Sequence, residues 1–231
     1  MLRNFTYKCL IMSYCIFFIV IVTKQKEFDE LLHCIGNNPV FLIGCSECAT
    51  LCHTGGKDEV MAIKKALEQK NIPVSGWVIL EPACHLNNDK RMLKEYGAQL
   101  GKSDKILVLA CGNGVQTVAE LCNDKEIIAG ADTLFLGEIF RANEFDKRCT
   151  LCGECLLDIF GGFCPVSRCP KSMLNGPCGG ASNGKCEIHS ELECVWDRIY
   201  QDLKKRGKLQ VLMAIQKPKD WSKALEMKRR V

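Results

Sequence analysis

A chain of 231 residues holds one large domain or two small ones, and it can bury a hydrophobic core without disulfides. Hydrophobic residues make up 47% of the chain and charged residues 25%, which excludes disordered and collagen-like classes. A net charge of +4 is too small to indicate a nucleic-acid-binding protein. The unusual feature is the cysteine content: there are 17 cysteines, and eight of them lie between Cys149 and Cys194.

The N-terminus contains an uncharged apolar run from Cys9 to Val22, preceded by Arg3 and Lys8. The run is shorter than the roughly 20 residues of a membrane-spanning helix, but it has the length of a signal peptide. An uncleaved anchor, an unprocessed signal and translation from a start codon upstream of the true one are the possible explanations. We favour the last, because a globular domain is predicted to begin near Ile21. Residues 1–22 are therefore expected to lie outside the fold, and the protein is expected in the cytoplasm.

Beyond Val22, amphipathic helices alternate with short apolar strands. The predicted helices cover residues 24–36, 58–71, 89–101 and 115–122, and the predicted strands cover residues 39–43, 76–80 and 105–110. This alternation is typical of a parallel sheet that is covered by helices on both faces. We therefore predict an α/β fold over residues 23–144, with a doubly wound parallel sheet of the flavodoxin-like or Rossmann-like type.

The character of the chain changes at about Phe145, where periodicity ends and Gly, Pro and Cys predominate up to Cys186. Such a stretch is expected to bury little apolar surface, so bound metal would have to order it. A further helix is predicted over residues 192–205. Residues 145–206 are accordingly predicted to form a small cysteine-rich, metal-binding domain that ends in this helix. Residues 207–231 form a basic tail that is expected to be solvated or to face a partner.

Five cysteines directly follow the three predicted strands, and we call them the edge cysteines. They are Cys45, Cys48 and Cys52 after the first strand, Cys84 after the second and Cys111 after the third. Because the carboxyl ends of parallel strands meet at one edge, where open α/β sheets bind ligands, these thiols are expected to converge. Four thiolates fit a [4Fe–4S] cluster or a zinc ion. We favour a cluster, with Cys111 as the fourth ligand and Cys84 as the alternative.

A second group of cysteines begins with a C-x2-C-x2-C run and a Cys-Pro pair, the spacing of a ferredoxin run with a longer last interval. The preferred metal ligands in this group are Cys152, Cys155, Cys164 and Cys169. The cysteines kept as replacements, or as ligands of a second centre, are Cys149, Cys178 and Cys186. Cys194, at the start of the last helix, is interpreted as a packed thiol. Zinc and an iron–sulfur cluster both remain open here, and a disulfide framework is the alternative for an extracellular protein.

The same residues resemble a known protein family. The C-terminal iron–sulfur domain of the small, V-type subunit of bacterial methylenetetrahydrofolate reductases is closely similar to CTLCGECLLDIFGGFCPVSRCPKSMLNGPCGGASNGKCEI, which runs on into CVWDRIYQDL. The N-terminal half of that subunit resembles GCSECATLCHTGGKDEV and LVLACGNGVQTVAEL. The resemblance covers residues 22–206.

The resemblance implies a subunit that holds one or two [4Fe–4S] clusters, carries electrons and stabilises a flavin-bearing catalytic partner. That partner reduces methylenetetrahydrofolate to methyltetrahydrofolate in folate-dependent one-carbon metabolism, commonly in the Wood–Ljungdahl pathway. An electron-donating dehydrogenase subunit is a further candidate partner, whereas nucleic acid and membranes are not expected as partners. The chain itself is expected to be a non-catalytic subunit, because it lacks a dinucleotide fingerprint and room for a reductase barrel. The alternative function is a zinc-stabilised assembly subunit without a redox role.

Overall fold

The computed structural model describes residues 20–141 and 143–225, so the predictions made for residues 1–19 fall outside it. The strands are β1 (Val20–Gln25), β2 (Val40–Cys45), β3 (Val74–Leu80), β4 (Lys105–Leu109), β5 (Glu126–Ala129), β6 (Ala131–Arg141) and β7 (Glu144–Cys149). The helices are α1 (Phe28–Ile35), α2 (Cys48–Leu51), α3 (Lys57–Gln69), α4 (Leu86–Glu95), α5 (Gly97–Leu100), α6 (Gly112–Leu121), α7 (Pro165–Arg168) and α8 (Val195–Lys205). Two 3-10 helices follow, Leu209–Met213 and Trp221–Leu225. Within the described ranges, no helix has the length and apolar composition needed to cross a bilayer.

Four of the strands form a parallel sheet in the order β3-β2-β4-β5. Every residue of β2 is buried, because its apolar side chains point to both faces of the sheet and helices cover both faces. Phe41 and Ile43 pack with α4 and α6 on one face, whereas Leu42 packs with α1 and α3 on the other. The predicted α/β fold, a parallel sheet with flanking helices, is confirmed.

A second, antiparallel sheet in the order β1-β6-β7 was not predicted. Val20 pairs with Gly137 and Gln25 with Ala131, and the side chains of Val20 and Val22 are buried. The assignment of residues 20–22 to an extension outside the fold is therefore wrong. The helix predicted from Lys24 likewise starts only at Phe28. The short apolar strand β1 forms because it pairs with β6, a partner distant in sequence that no local pattern identifies.

The cysteine-rich segment has a small hydrophobic core of its own, built around α8. The buried core residues are Phe160, Val195, Trp196, Ile199 and Leu203. The rings of Phe160 and Trp196 meet edge to face with centroids 5.3 Å apart, and the Trp196 indole N–H donates to the Met173 carbonyl oxygen at 3.0 Å. The expectation that this segment buries little apolar surface is thus wrong in part, because α8 supplies the apolar face that the loops lack.

The basic tail is described over residues 207–225, and this part runs back along the cysteine-rich segment instead of extending away from it. Lys223 pairs with Glu154 at 3.0 Å, and Lys219 donates to the backbone carbonyl of Glu154. The Asn175 side chain donates to the Gln216 carbonyl oxygen at 2.9 Å and accepts from the Gln216 N–H at 2.6 Å. The tail is exposed to solvent, but these contacts fix its path across the segment.

Gly55 allows the loop after α2 to lie directly against the end of β4. A Cβ atom at this position would lie 1.8 Å from the Leu109 carbonyl oxygen, which is far inside van der Waals contact. The Gly55 carbonyl oxygen also accepts from the Cys45 N–H at 2.9 Å, so the loop cannot move without disturbing β2. This close approach fixes the position of the residues that follow both strands.

We expect Gly55→Ala to lower the free energy of unfolding by about 1–3 kcal/mol, because the backbone of β4 or of the loop must shift. Denaturant unfolding followed by circular dichroism measures the change. The control is Gly97→Ala, where a Cβ atom has no neighbour within 4 Å. Equal stabilities of the two variants would contradict the role given to Gly55.

Candidate metal centres

The five edge cysteines all lie at the carboxyl edge of the parallel sheet. Cys45 is the last residue of β2, Cys48 begins α2 and Cys52 is the C-cap of α2. Cys84 lies in the turn after β3, and Cys111 is the N-cap of α6 after β4. The strands run parallel, so residues far apart in the sequence arrive at the same place.

The pKa shifts of two of these thiols show how close the group is. Burial raises the pKa of both Cys48 and Cys84, and negative charge on Cys111 and Cys45 raises each further. Cys52 adds to the same effect at Cys48. The turns after three parallel strands thus place the five edge cysteines at one edge of the sheet, where Cys45 and Cys111 influence both Cys48 and Cys84. Which of them would act as ligands stays a prediction.

Strand β1 contacts two of the edge cysteines, Cys48 and Cys52, and the sequence did not predict this contact. The Ile21 N–H donates to the Cys48 sulfur at 3.4 Å, and the Cys52 thiol lies 3.8 Å from the Ile21 carbonyl oxygen. The buried hydroxyls of Thr23 and Thr54 are 2.6 Å apart and tie β1 to the loop after Cys52. Backbone N–H donation to sulfur is a feature that tunes thiolate-bound clusters. In the sequence, the signal for this contact was the apolar character of the N-terminal run, which is typical of a segment that is buried against another part of the fold.

A buried carboxyl group, Asp89, lies in the first turn of α4 near Cys84. Asp89 is 0% exposed, and among the described residues neither of its carboxyl oxygens has a hydrogen-bond partner. Burial raises the pKa of this carboxyl, and the neighbouring His85 acts in the opposite direction. The His85 ring accepts from the Asn88 N–H at 3.2 Å and so caps the helix. His85 therefore has a structural role beside the thiols.

The first four cysteines of the second group lie along the path from β7 to α7. Cys149 ends β7 and accepts from the Leu151 N–H at 3.3 Å, whereas Cys155 is exposed. Cys164 is the N-cap of α7. Burial opposes ionisation of the Cys152 thiol, but the Glu154 backbone and the Lys219 ammonium group outweigh it and lower the pKa. The basic tail therefore stabilises a thiolate in this group.

The last four cysteines of the chain line a single small cavity of about 20 Å³. They are Cys169, Cys178, Cys186 and Cys194. Two expectations change as a result. Cys194 is packed against the core around α8 but also faces this cavity, and Cys169 shares the cavity with residues other than its predicted co-ligands Cys152, Cys155 and Cys164. The even spacing of the last four cysteines is the signal that could have indicated this grouping.

The chemistry of both donor sets fits a thiophilic metal, since thiolates bind iron–sulfur clusters and zinc. Within residues 20–141 and 143–225, however, no three Cys, His, Asp or Glu side chains already have the arrangement of a metal site. In both groups, the cysteine sulfurs do not yet have the mutual arrangement of ligands around one metal ion. Metal binding at either group is therefore a proposal about the loaded protein.

Residues 128–222 match a family model described as "Methylene-tetrahydrofolate reductase C terminal". The match runs from the end of the parallel sheet through β6, β7, the cysteine-rich segment and α8 into the tail. It relates this part of the chain to methylenetetrahydrofolate reductase. No curated protein and no solved structure matches the chain.

We expect Asp89→Asn to stabilise the protein at neutral pH. In the unfolded chain the Asp89 carboxyl ionises near its ordinary pKa of 3.8, but its folded pKa is raised. The favourable contribution of the protonated form is therefore present at low pH and is lost as the pH rises towards the folded pKa. The amide of the Asp89→Asn variant does not titrate, so its contribution to stability does not fall as the pH rises.

Thermal unfolding between about pH 4 and pH 8 tests this expectation. The stability advantage of Asp89→Asn over the parent should grow as the pH rises above 3.8 and become constant above the folded pKa. Asp124→Asn is the matched control, because Asp124 is exposed, and it should show no such trend. A parent and an Asp89→Asn variant with the same pH dependence would show that burial of the Asp89 carboxyl does not limit stability.

Proposed function

We propose that this chain is the iron–sulfur electron-transfer and stabilising subunit of a methylenetetrahydrofolate reductase. It would pass electrons to a flavin-bearing catalytic partner, which reduces methylenetetrahydrofolate to methyltetrahydrofolate. The match of residues 128–222 supports the relation to the reductase. The single observation that carries the electron-transfer role is the gathering of five thiols from the ends of three parallel strands.

In this proposal the edge cysteines hold a [4Fe–4S] cluster, which supplies one-electron transfer when it is bound. Cys45 and Cys111 are held rigidly, because they end or directly follow buried strands, and both are less than a tenth exposed. Cys48 and Cys52 are fixed by α2 and by their contacts with Ile21. Rigid ligands limit the reorganisation that accompanies a change of charge at the centre.

The surroundings of the edge cysteines would also influence the reduction potential. The Ile21 N–H donates to the Cys48 sulfur, and donation to a ligand sulfur favours the reduced, more negative cluster. Strand β1 excludes water from one side of the thiols, while the like-charge effects among them would be relieved by a bound cation. The chain's own residues thus supply ligands, a hydrogen bond and a partial shield.

We expect Cys48→Ala to remove about four iron atoms per chain, since an incomplete ligand set cannot hold a [4Fe–4S] cluster. Iron and sulfide analysis of anaerobically purified protein, with electron paramagnetic resonance after reduction, measures the loss. Cys34→Ala is the control, because Cys34 is exposed on α1. Full iron and sulfide content in Cys48→Ala would exclude the edge cysteines as the cluster site. A larger loss in Cys84→Ala than in Cys111→Ala would make Cys84 the fourth ligand.

The isolated chain is expected to show no methylenetetrahydrofolate reductase activity, and activity should appear when the flavin-bearing partner is added. The reason is that the proposed role is to deliver electrons and not to bind the folate. Assays with a reduced viologen dye as electron donor compare the chain, the partner and the mixture. Turnover by the chain, shown by mass spectrometry to be free of partner, would contradict the proposal.

A further inference from the structure

Cys169, Cys178, Cys186 and Cys194 line one small cavity, and none of the edge cysteines contributes to its lining. The number and kind of donors, four thiols and no histidine, match the closed four-coordinate sites of structural zinc.

Backbone hydrogen bonds hold three of these cysteines around the cavity independently of any metal. The Cys186 N–H donates to the Leu192 carbonyl oxygen at 2.9 Å, and the Cys194 N–H donates to the Gly184 carbonyl oxygen at 2.8 Å. These two bonds, with the isolated antiparallel bridge between Lys185 and Glu193, place Cys186 and Cys194 on the two facing sides of a small hairpin loop. Cys169 ends α7 through the bond of its N–H to the Pro165 carbonyl oxygen at 3.1 Å.

The charges around the cavity suit a negatively charged zinc–thiolate centre. Four thiolates around Zn²⁺ carry a net charge of about −2. Arg168 and Lys171 line the same cavity, and Cys194 is the N-cap of α8, whose N-terminus favours negative charge. Glu187 and Glu193 are also in the lining, but Glu187 is paired with Lys171 and Glu193 lies 3.8 Å from Arg168.

One present interaction would have to change on binding. The Cys178 sulfur lies 3.3 Å from a carboxylate oxygen of Glu187, as expected for a thiol that donates its proton. Zinc binding would release that proton to solvent and leave Glu187 with Lys171 as its partner. An ion in the cavity would therefore gain the Cys178 sulfur as its fourth ligand, and the hydrogen bond between Cys178 and Glu187 would be lost.

We propose that Cys169, Cys178, Cys186 and Cys194 bind a single zinc ion that orders the cysteine-rich segment. The site goes beyond the proposed electron-transfer function and does not depend on it. Zinc would join α7, the hairpin and α8 directly beside the small core, whose five buried residues are few for an independent unit. Cys149, Cys152, Cys155 and Cys164 then remain together in their ferredoxin-like spacing and are free for iron.

The test is the metal content of the full chain and of three variants, purified anaerobically and analysed for zinc and iron together. We expect one zinc per chain in the parent and in Cys122→Ser, whose cysteine is buried in the parallel-sheet core away from this cavity. Cys194→Ser should lose that zinc and keep its iron. Cys194→His should retain zinc, because three thiolates and one imidazole also form structural zinc sites.

Cobalt(II) added to the zinc-free parent gives a second readout, since a tetrahedral cobalt–thiolate centre has intense visible bands. These bands should appear in the parent, be absent in Cys194→Ser and be altered in Cys194→His. Hydrogen exchange should show that zinc protects residues 169–194 while β2 and β4 are protected with or without it, which separates loss of the site from global unfolding. Any of three results would overturn the proposal: Cys194→Ser retains its zinc, Cys194→Ser loses iron instead of zinc, or the parent protein contains no zinc. None of these results bears on the Cys48→Ala experiment, so the two proposals can fail separately.

Discussion

The parallel alignment of β2, β3 and β4 is the constraint on which the first candidate site depends. Each of these strands is followed directly by a turn that carries cysteine, and parallel strands send all three turns to the same edge. The two central strands are buried on both faces, so their ends are held in place by the core. The thiols at the edge are positioned by packing that exists before any metal arrives. Their mutual repulsion when ionised provides an electrostatic reason for a cation to bind there.

The antiparallel sheet connects the two cysteine groups. Strand β1 contacts two of the edge cysteines through Ile21, β6 contacts the N-terminus of α6 through Thr133, and β7 leads directly to Cys149. The Gly112 N–H donates to the Thr133 hydroxyl at 2.8 Å, so β6 is bonded to the residue after Cys111.

The cysteine-rich segment combines several modest sources of order. The core around α8 buries apolar surface, the tail is fixed to Glu154 and Asn175, and the last four cysteines surround a small cavity. They act against a high entropy cost, because ordering the backbone of a glycine-rich segment costs about 1–2 kcal/mol per residue. A bound ion would add the remaining stabilisation, as in other small domains that lack a large core. The tail has a further effect, because its lysine lowers the pKa of Cys152.

The sequence by itself determined the α/β class, the three strands β2, β3 and β4 and the convergence of the edge cysteines. Those results follow from local apolar periodicity and from the handedness and direction common to parallel sheets. Only the tertiary structure decided that residues 20–25 form a strand over the thiols, that the tail returns to Glu154, and that Cys194 joins Cys169, Cys178 and Cys186. Each of these depends on contacts between residues distant in the chain, made by short or irregular segments. Local patterns carry no information about such partners, because the free energy that selects them arises from packing and hydrogen bonding in the assembled fold.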